Sequence, residues 1–284
     1  MYNHYPFTRT INSLADFEQL IARAKDYSAY HEFNNQRGHI ELLFRGESSV
    51  KFKLKPSIAR KLKDPGLIRE TEKIILFDFY QQLFEKGIYD HVQQPLMDFA
   101  FSSDWLLIQQ AQHFGLPTRL LDWTSCHEVA LFFAVEDEKC HNSDGHIWLY
   151  LAPESICIGN SETKHLTIHP QDFKETFFLY TPILWEKDYL IKIAHRRKVR
   201  QFGKFLIQSY SRTIISLNRQ THHYPFLFEI IIPAYLKQSI LSTLNGRGVT
   251  RDNLFIIDPG TSEIINIVND IVDSLKSKYN LDKN

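Results

Sequence analysis

The sequence predicts an α+β fold, with a helix-rich N-terminal half and a mixed or antiparallel sheet. Helical patterns load the first half of the chain and strand patterns the second. No internal repeat, low-complexity linker or domain seam divides residues 1–284, so a single domain is expected. At 284 residues the chain can bury a sizeable core.

In chain order, residues 13–30 fit a helix with Leu14, Phe17, Leu20, Ile21 and Ala24 on one face and Ser13 or Asp16 as its cap. Residues 39–44 are a compact apolar run, a buried strand that ends in Phe44-Arg45-Gly46. An Arg there is either paired with a carboxylate or offered to an anion, and Gly46 permits a close backbone approach. Residues 48–56 alternate Lys51, Lys53 and Lys55 with Phe52 and Leu54. That pattern suits an exposed edge, or the flank of an anionic ligand. A second helix is predicted over 67–86 and a third over 102–114. Gly115 and Pro117 stop the third, and 118–123 reads as a short extended segment. Thr124 or Ser125 then caps a helix over about 127–136.

Residues 145–152 form an aromatic-rich strand closed by Pro153. Residues 155–191 follow no regular period, as binding loops and insertions often do not. The basic run 195–200 leads into a strand over 201–207. In the strand over 226–232, alternation puts Leu227, Glu229 and Ile231 on one face. A helix over 234–245, a short strand over 253–257, a last helix centred on 264–275 (about 262–278) and a polar tail complete the chain.

Thirty-three basic and thirty-three acidic residues balance, so no global field points to nucleic acid or an anionic membrane. Three cysteines are too few and odd in number for a disulfide framework. The N-terminus does not read as a signal peptide, and no run of about eighteen apolar residues suggests a membrane span. A soluble cytoplasmic protein is the expectation. Metal-ligand spacings, Walker loops, dinucleotide fingerprints and nucleophile elbows are all absent from the sequence.

The stretch from Gln112 to Ala134 holds more polarity than a turn requires: Gln112, His113, Arg119, Asp122, Thr124 and Ser125 stand between two apolar segments. Its strand–cap–helix step would expose backbone N–H groups at a helix start, a seat for phosphate or carboxylate. A buried polar network that only specifies the core would use the same residues.

With Phe44-Arg45-Gly46 and Gln-His-x-Gly-Leu-Pro-Thr-Arg-Leu-Leu-Asp-Trp-Thr (112–124) both present, the chain resembles the FRG domain family. The likeness continues at Arg197-x-x-x-Gln201-x-Gly203-x-Phe205 and from Ile232 to Phe255, about residues 39–257 in all. More distantly, Phe44-Arg45-Gly46 and Asp122-Trp123-Thr124-Ser125 followed by Ala130-Leu131-Phe132-Phe133-Ala134 are similar to motifs of arginine–serine–glutamate ADP-ribosyltransferases. That resemblance implies a transferase-like core and NAD as substrate, with ADP-ribose passed to a protein or nucleic acid, or NAD hydrolysed, by a toxin or phage-defence effector that an inhibitory partner could hold silent. It implies that Arg45, beside Gly46, grips the pyrophosphate and that Thr124 and Ser125 shape the ribose pocket. Gln112, His113, Arg119 and Asp122 would form the network beneath. The family's Glu-x-Glu strand has two counterparts here, Gln201-Phe202-Gly203 without an acid and Phe228-Glu229-Ile230 with one, so Gln201 or Glu229 would face the ribose, or Asp122 would supply the charge. The rival is a non-catalytic nucleotide or nucleic-acid binding module that regulates a partner, which the basic run 195–204 favours.

Overall fold

The strand-forming segments assemble into one mixed sheet in the computed structural model, which describes residues 7–33, 40–88, 101–153, 157–158, 177–180, 201–220, 226–255 and 261–279. Its strands are β1 (Phe7–Thr10), β2 (Ile40–Glu47), β3 (Leu121–Thr124), β4 (Gly145–Pro153), β5 (Cys157–Ile158), β6 (Phe177–Tyr180), β7 (Gly203–Ile207) and β8 (Leu227–Ile232). Their order across the sheet is β1-β8-β4-β2-β3-β7-β6-β5. The β1–β8 and β5–β6 pairs are parallel and the others antiparallel. The helices are α1 (Leu14–Phe33), α2 (Ile58–Lys61), α3 (Pro65–Glu85), α4 (Phe101–His113), α5 (His127–Val135), α6 (Tyr210–Thr213), α7 (Lys237–Gly246), α8 (Arg251–Leu254) and α9 (Thr261–Tyr279). Most of 155–191, the basic run 195–200 and the end of the polar tail lie outside the described residues.

Three departures from the sequence reading have physical causes. Strand β2 does not stop at Arg45; it runs on to Glu47 because β4 supplies ladder partners as far as the Glu47–His146 pair. The expected strand at 253–257 is a helical turn at its start, because Thr250 caps it, its side chain accepting from the Asn253 amide. Strands are also not confined to the C-terminal half, since β1, β2 and β3 all precede Ser125. Strand β1 is too short for alternation to reveal, and its Thr-Arg-Thr gains meaning only beside β8.

Helix α5 is apolar on nearly every side, with Val129, Ala130, Leu131, Phe132, Ala134 and Val135 buried, as a helix inside a core must be. It lies on the sheet face formed by Phe44, Ile147, Leu149, Ile230 and Ile232, together with residues of α1 and α7. The backbones meet closely. A Cβ at Gly46 would stand 1.7 Å from the Ala130 carbonyl oxygen, and one at Gly145 would stand 2.3 Å from that of Ala134. Glycine is required at both positions by this approach. The opposite sheet face carries Leu43, Trp123, Trp148, Tyr150, Leu206 and Leu227, and α3 and α9 pack in a further cluster with Leu107, Ala111 and Tyr210.

Strands β2 and β3 share only one registered pair, Phe44 with Thr124. The sheet therefore forks there, while β3 stays zipped to β7 from Leu121–Leu206 to Thr124–Gly203. A cleft opens in the fork.

Gly46→Ala is expected to lower stability by about 3 kcal/mol through overpacking, read as a lower denaturation midpoint. An unchanged midpoint would mean that α5 is not seated on β2 as described.

Candidate functional site

The cleft has a volume of about 240 Å³ and is lined by Phe44, Arg45, Gly46, Gln112, His113, Asp122, Trp123, Thr124, Val129, Phe133, Gln201, Gly203, Lys204 and Phe205. Each wall follows from local structure. Strand β2 presents Arg45, the C-terminal turn of α4 presents Gln112 and His113, and β3 with β7 presents Asp122, Thr124 and Lys204.

Arg45 spans the fork. Its Nε donates to Glu47 Oε1 at 3.1 Å, and its Nη1 donates to the main-chain oxygen of Asp122 at 2.7 Å. Its Nη2 has no partner among the described residues. The Asp122 carboxylate lies 3.9 Å from Nη1 and is 58% exposed at the mouth. Gln112 Nε2 donates to that carboxylate at 2.9 Å, and Thr118 Oγ1 donates to Gln112 Oε1 at 2.7 Å. Thr124 Oγ1 is used twice: it donates to the Gln201 carbonyl at 2.6 Å and accepts from the Cys126 amide at 3.0 Å. Thr124 thus caps α5 from two residues before its formal N-cap, Cys126. Ser125 is exposed and donates its amide to the Phe202 carbonyl at 3.2 Å; it is not part of the lining. Phe202 itself has a φ of 49°, an uncommon value for a residue with a side chain. The Gln201 amide nitrogen turns away to the Leu254 carbonyl at 3.1 Å.

Besides Ser125, two further expected site residues stand outside the cleft. Arg119 does not reach the cleft. Its side chain is fully buried against α3, where Nε donates to Glu72 Oε2 at 3.0 Å, its amide donates to Glu72 Oε1 at 2.8 Å, and Nη1 donates to the Gln208 carbonyl at 3.0 Å. The guanidinium lies 4.0 Å from the centre of the Tyr210 ring, whose hydroxyl donates to Glu72 at 2.7 Å. Every described contact of this arginine serves the fold. Glu229 also stands outside the cleft, because β4 separates β8 from β2. Its Oε1 lies 2.7 Å from His146 Nδ1, and its Oε2 accepts from Thr8 Oγ1 at 3.2 Å.

The sequence reading missed Glu47 and His146, and took Lys204 only as the end of the basic run. Glu47 lies two residues beyond Arg45 on one strand face, a signal the extended strand would have supplied. His146 Nε2 lies 3.1 Å from Glu47 Oε2, so a buried chain of polar contacts runs Arg45–Glu47–His146–Glu229 across three strands. Lys204 pairs with Glu41 at the far wall. Burial pushes the Glu47 carboxyl up, but Arg45, His146 and Arg60 outweigh it and hold its pKa below the usual value. Burial likewise pushes His146 down, and the hydrogen bonds to Glu229 and Glu47 outweigh it, leaving its pKa raised. Among the described residues no group of three His, Cys, Asp or Glu side chains could hold a metal ion, and no helix is long and apolar enough to cross a membrane.

The arginine on a strand, the glycine under a helix and the polar turn that caps that helix all fall in one segment. That segment, residues 40–143, matches the FRG domain. The FRG match runs from the first residue of β2 past α5, so it holds Arg45, Gly46, Gln112, His113, Asp122 and Thr124. Gln201, Lys204 and Glu229 lie beyond it, and the resemblance expected over about 39–257 is matched over this shorter stretch. No curated protein and no solved structure matches the chain.

Two outcomes follow for the FRG segment. Arg119→Met strands Glu72 without its cation and is expected to cost about 3–5 kcal/mol by urea denaturation, whereas a change under about 1 kcal/mol would contradict the buried pair. The His146 contribution is full below its ordinary value of 6.5 and is lost as pH rises through its raised folded pKa. The Glu47 contribution is present above its ordinary value of 4.5 and is lost as pH falls through its lowered one. The two overlap between 4.5 and 6.5, and His146→Gln is expected to flatten the decline in stability above that window.

Proposed function

We propose that the cleft binds NAD or a related nucleotide and that the protein is ADP-ribosyltransferase-like, transferring ADP-ribose to a macromolecule or hydrolysing NAD, as a toxin or phage-defence effector would. One observation carries the reading. Six polar residues singled out in the sequence, Arg45, Gln112, His113, Asp122, Thr124 and Gln201, come from separated segments to line one cleft. Arg45 suits a diphosphate: Glu47 fixes its plane through Nε, and Nη2 remains to pair with a phosphate oxygen beside Nη1.

Asp122 is the carboxylate that this reading assigns to the ribose. Gln112 holds it at the mouth, where it would stabilise positive charge on the sugar as the nicotinamide–ribose bond breaks. The bonding pair leaves with nicotinamide, the acceptor or water forms the new bond at the same carbon, and the nucleophile's proton passes to solvent. Thr124, engaged on both sides, shapes the wall rather than contacting the ribose through a free hydroxyl.

The non-catalytic nucleotide-binding module stays as a second reading, because Glu229, one candidate acid, is held by His146 and Thr8 away from the cleft.

Arg45→Lys keeps a charge beside Glu47 but loses the planar fork, so NAD affinity by calorimetry is expected to fall at least tenfold, about 1.4 kcal/mol. Asp122→Asn is expected to leave NAD binding in place and to cut nicotinamide release roughly 100-fold. Binding without turnover in the unsubstituted protein would favour the second reading, and no NAD binding at all would defeat both for this ligand.

A further inference from the structure

Beyond His146, on the far side of the polar chain from Arg45, lies a second hollow of about 440 Å³. The loop of residues 48–56 supplies Lys51, Lys53 and Lys55 to it, Arg219 stands at another rim, and Trp148 and Glu229 come from the sheet. Three observations set it apart from an ordinary solvated lysine loop.

The loop is anchored. Lys237 Nζ donates to the Ser48 carbonyl at 2.6 Å, the Val50 amide donates to the Asp144 carbonyl at 2.9 Å, and the Leu217 amide donates to the Leu54 carbonyl at 2.9 Å. None of Lys51, Lys53, Lys55 and Arg219 has an ion-pair partner among the described residues, and both oxygens of Glu229 are taken by His146 and Thr8. Burial, then the nearby Lys53, Lys63 and Arg219 charges, lower the Lys55 pKa, which is what crowded cations without an anion produce. Finally, Trp148 is 2% exposed, lines the hollow, and its indole N–H has no acceptor among the described residues. A buried donor left unpaired costs about 1–3 kcal/mol, so an acceptor supplied from outside would be favoured there.

We propose that this second hollow binds a nucleotide, its phosphate among Lys53, Lys55 and Arg219 and its base between Phe52 and the Trp148 wall. Phe52 lines the hollow and is 45% exposed, an aromatic face available for stacking. A base carbonyl accepts from the Trp148 indole. Lysines as point charges and a stacking ring recognise phosphate and base without demanding a sequence. The nucleotide is either free or one residue of a single strand; the chemistry of recognition is shared. This inference goes beyond the cleft reading and does not rest on it.

The test titrates uridine 5′-monophosphate and a short oligouridylate into the full chain, the Arg45→Lys variant and a Lys53→Glu/Arg219→Glu double variant. Lys53 and Arg219 are exposed, so the double variant is expected to keep its melting temperature. At least one probe is expected to bind the unsubstituted and Arg45→Lys proteins alike and to bind the double variant at least tenfold more weakly. Equal affinity for the two probes identifies a free nucleotide. Binding of the oligomer alone, with affinity falling steeply as salt rises, identifies a strand. If neither probe binds, or if binding survives in the double variant, the proposal is overturned. NAD binding that fails while this binding persists removes only the cleft reading, and the reverse removes only this one.

Discussion

The site depends on one side chain bridging a gap in the sheet. Strands β2 and β3 meet through a single registered pair, so the backbone alone does little to hold the fork at a fixed width. The Arg45 guanidinium supplies the missing tie, with Glu47 on its own strand and the Asp122 carbonyl on the other. On the other face, α5 presses on Gly46 and leaves β2 no freedom to move toward it. The cleft is thus the space that remains when a helix, a strand and an arginine fix the edges of an unzipped ladder. Its polar lining follows, because forked strands leave backbone and side-chain groups that must find partners of their own.

Arg45 and Arg119, 74 positions apart in sequence, differ above all in burial. Arg119 meets Glu72 with both side chains essentially without solvent contact, and a carbonyl and a tyrosine complete its shell. A pair so enclosed is weak evidence for net stability, yet breaking it is costly. Arg45 keeps 14% of its side chain exposed and one nitrogen without a partner among the described residues. The first arrangement suits an architectural post and the second a group that can still take an anion. The chain through Glu47 and His146 to Glu229 keeps Arg45 oriented and joins the edge of the cleft to the basic hollow beyond.

Much of this was legible in the sequence because it is local. Gly115 and Pro117 end α4, the polar turn announces β3 and the start of α5, and the Phe-Arg-Gly tripeptide marks the strand beneath. Arg45, Gln112, Asp122, Thr124 and Gln201 share the cleft that their residue types suggested. What escaped was register. Nothing in a single chain says that β4 lies between β2 and β8, so Glu229 read as a cleft residue when it belongs to the other hollow. Arg119 was misplaced for a related reason: its partner Glu72 sits mid-helix in α3, where one acid among several carries no mark of burial. Glu47 was within reach, since a strand carried two residues further places it beside Arg45.

The most direct test of the central claim is a crystal structure of the protein soaked with NAD. The diphosphate is expected within hydrogen-bond distance of Arg45, with the nicotinamide ribose beside Asp122. Density for NAD anywhere else on the molecule, with Arg45 still confined to Glu47 and the Asp122 carbonyl, would contradict it.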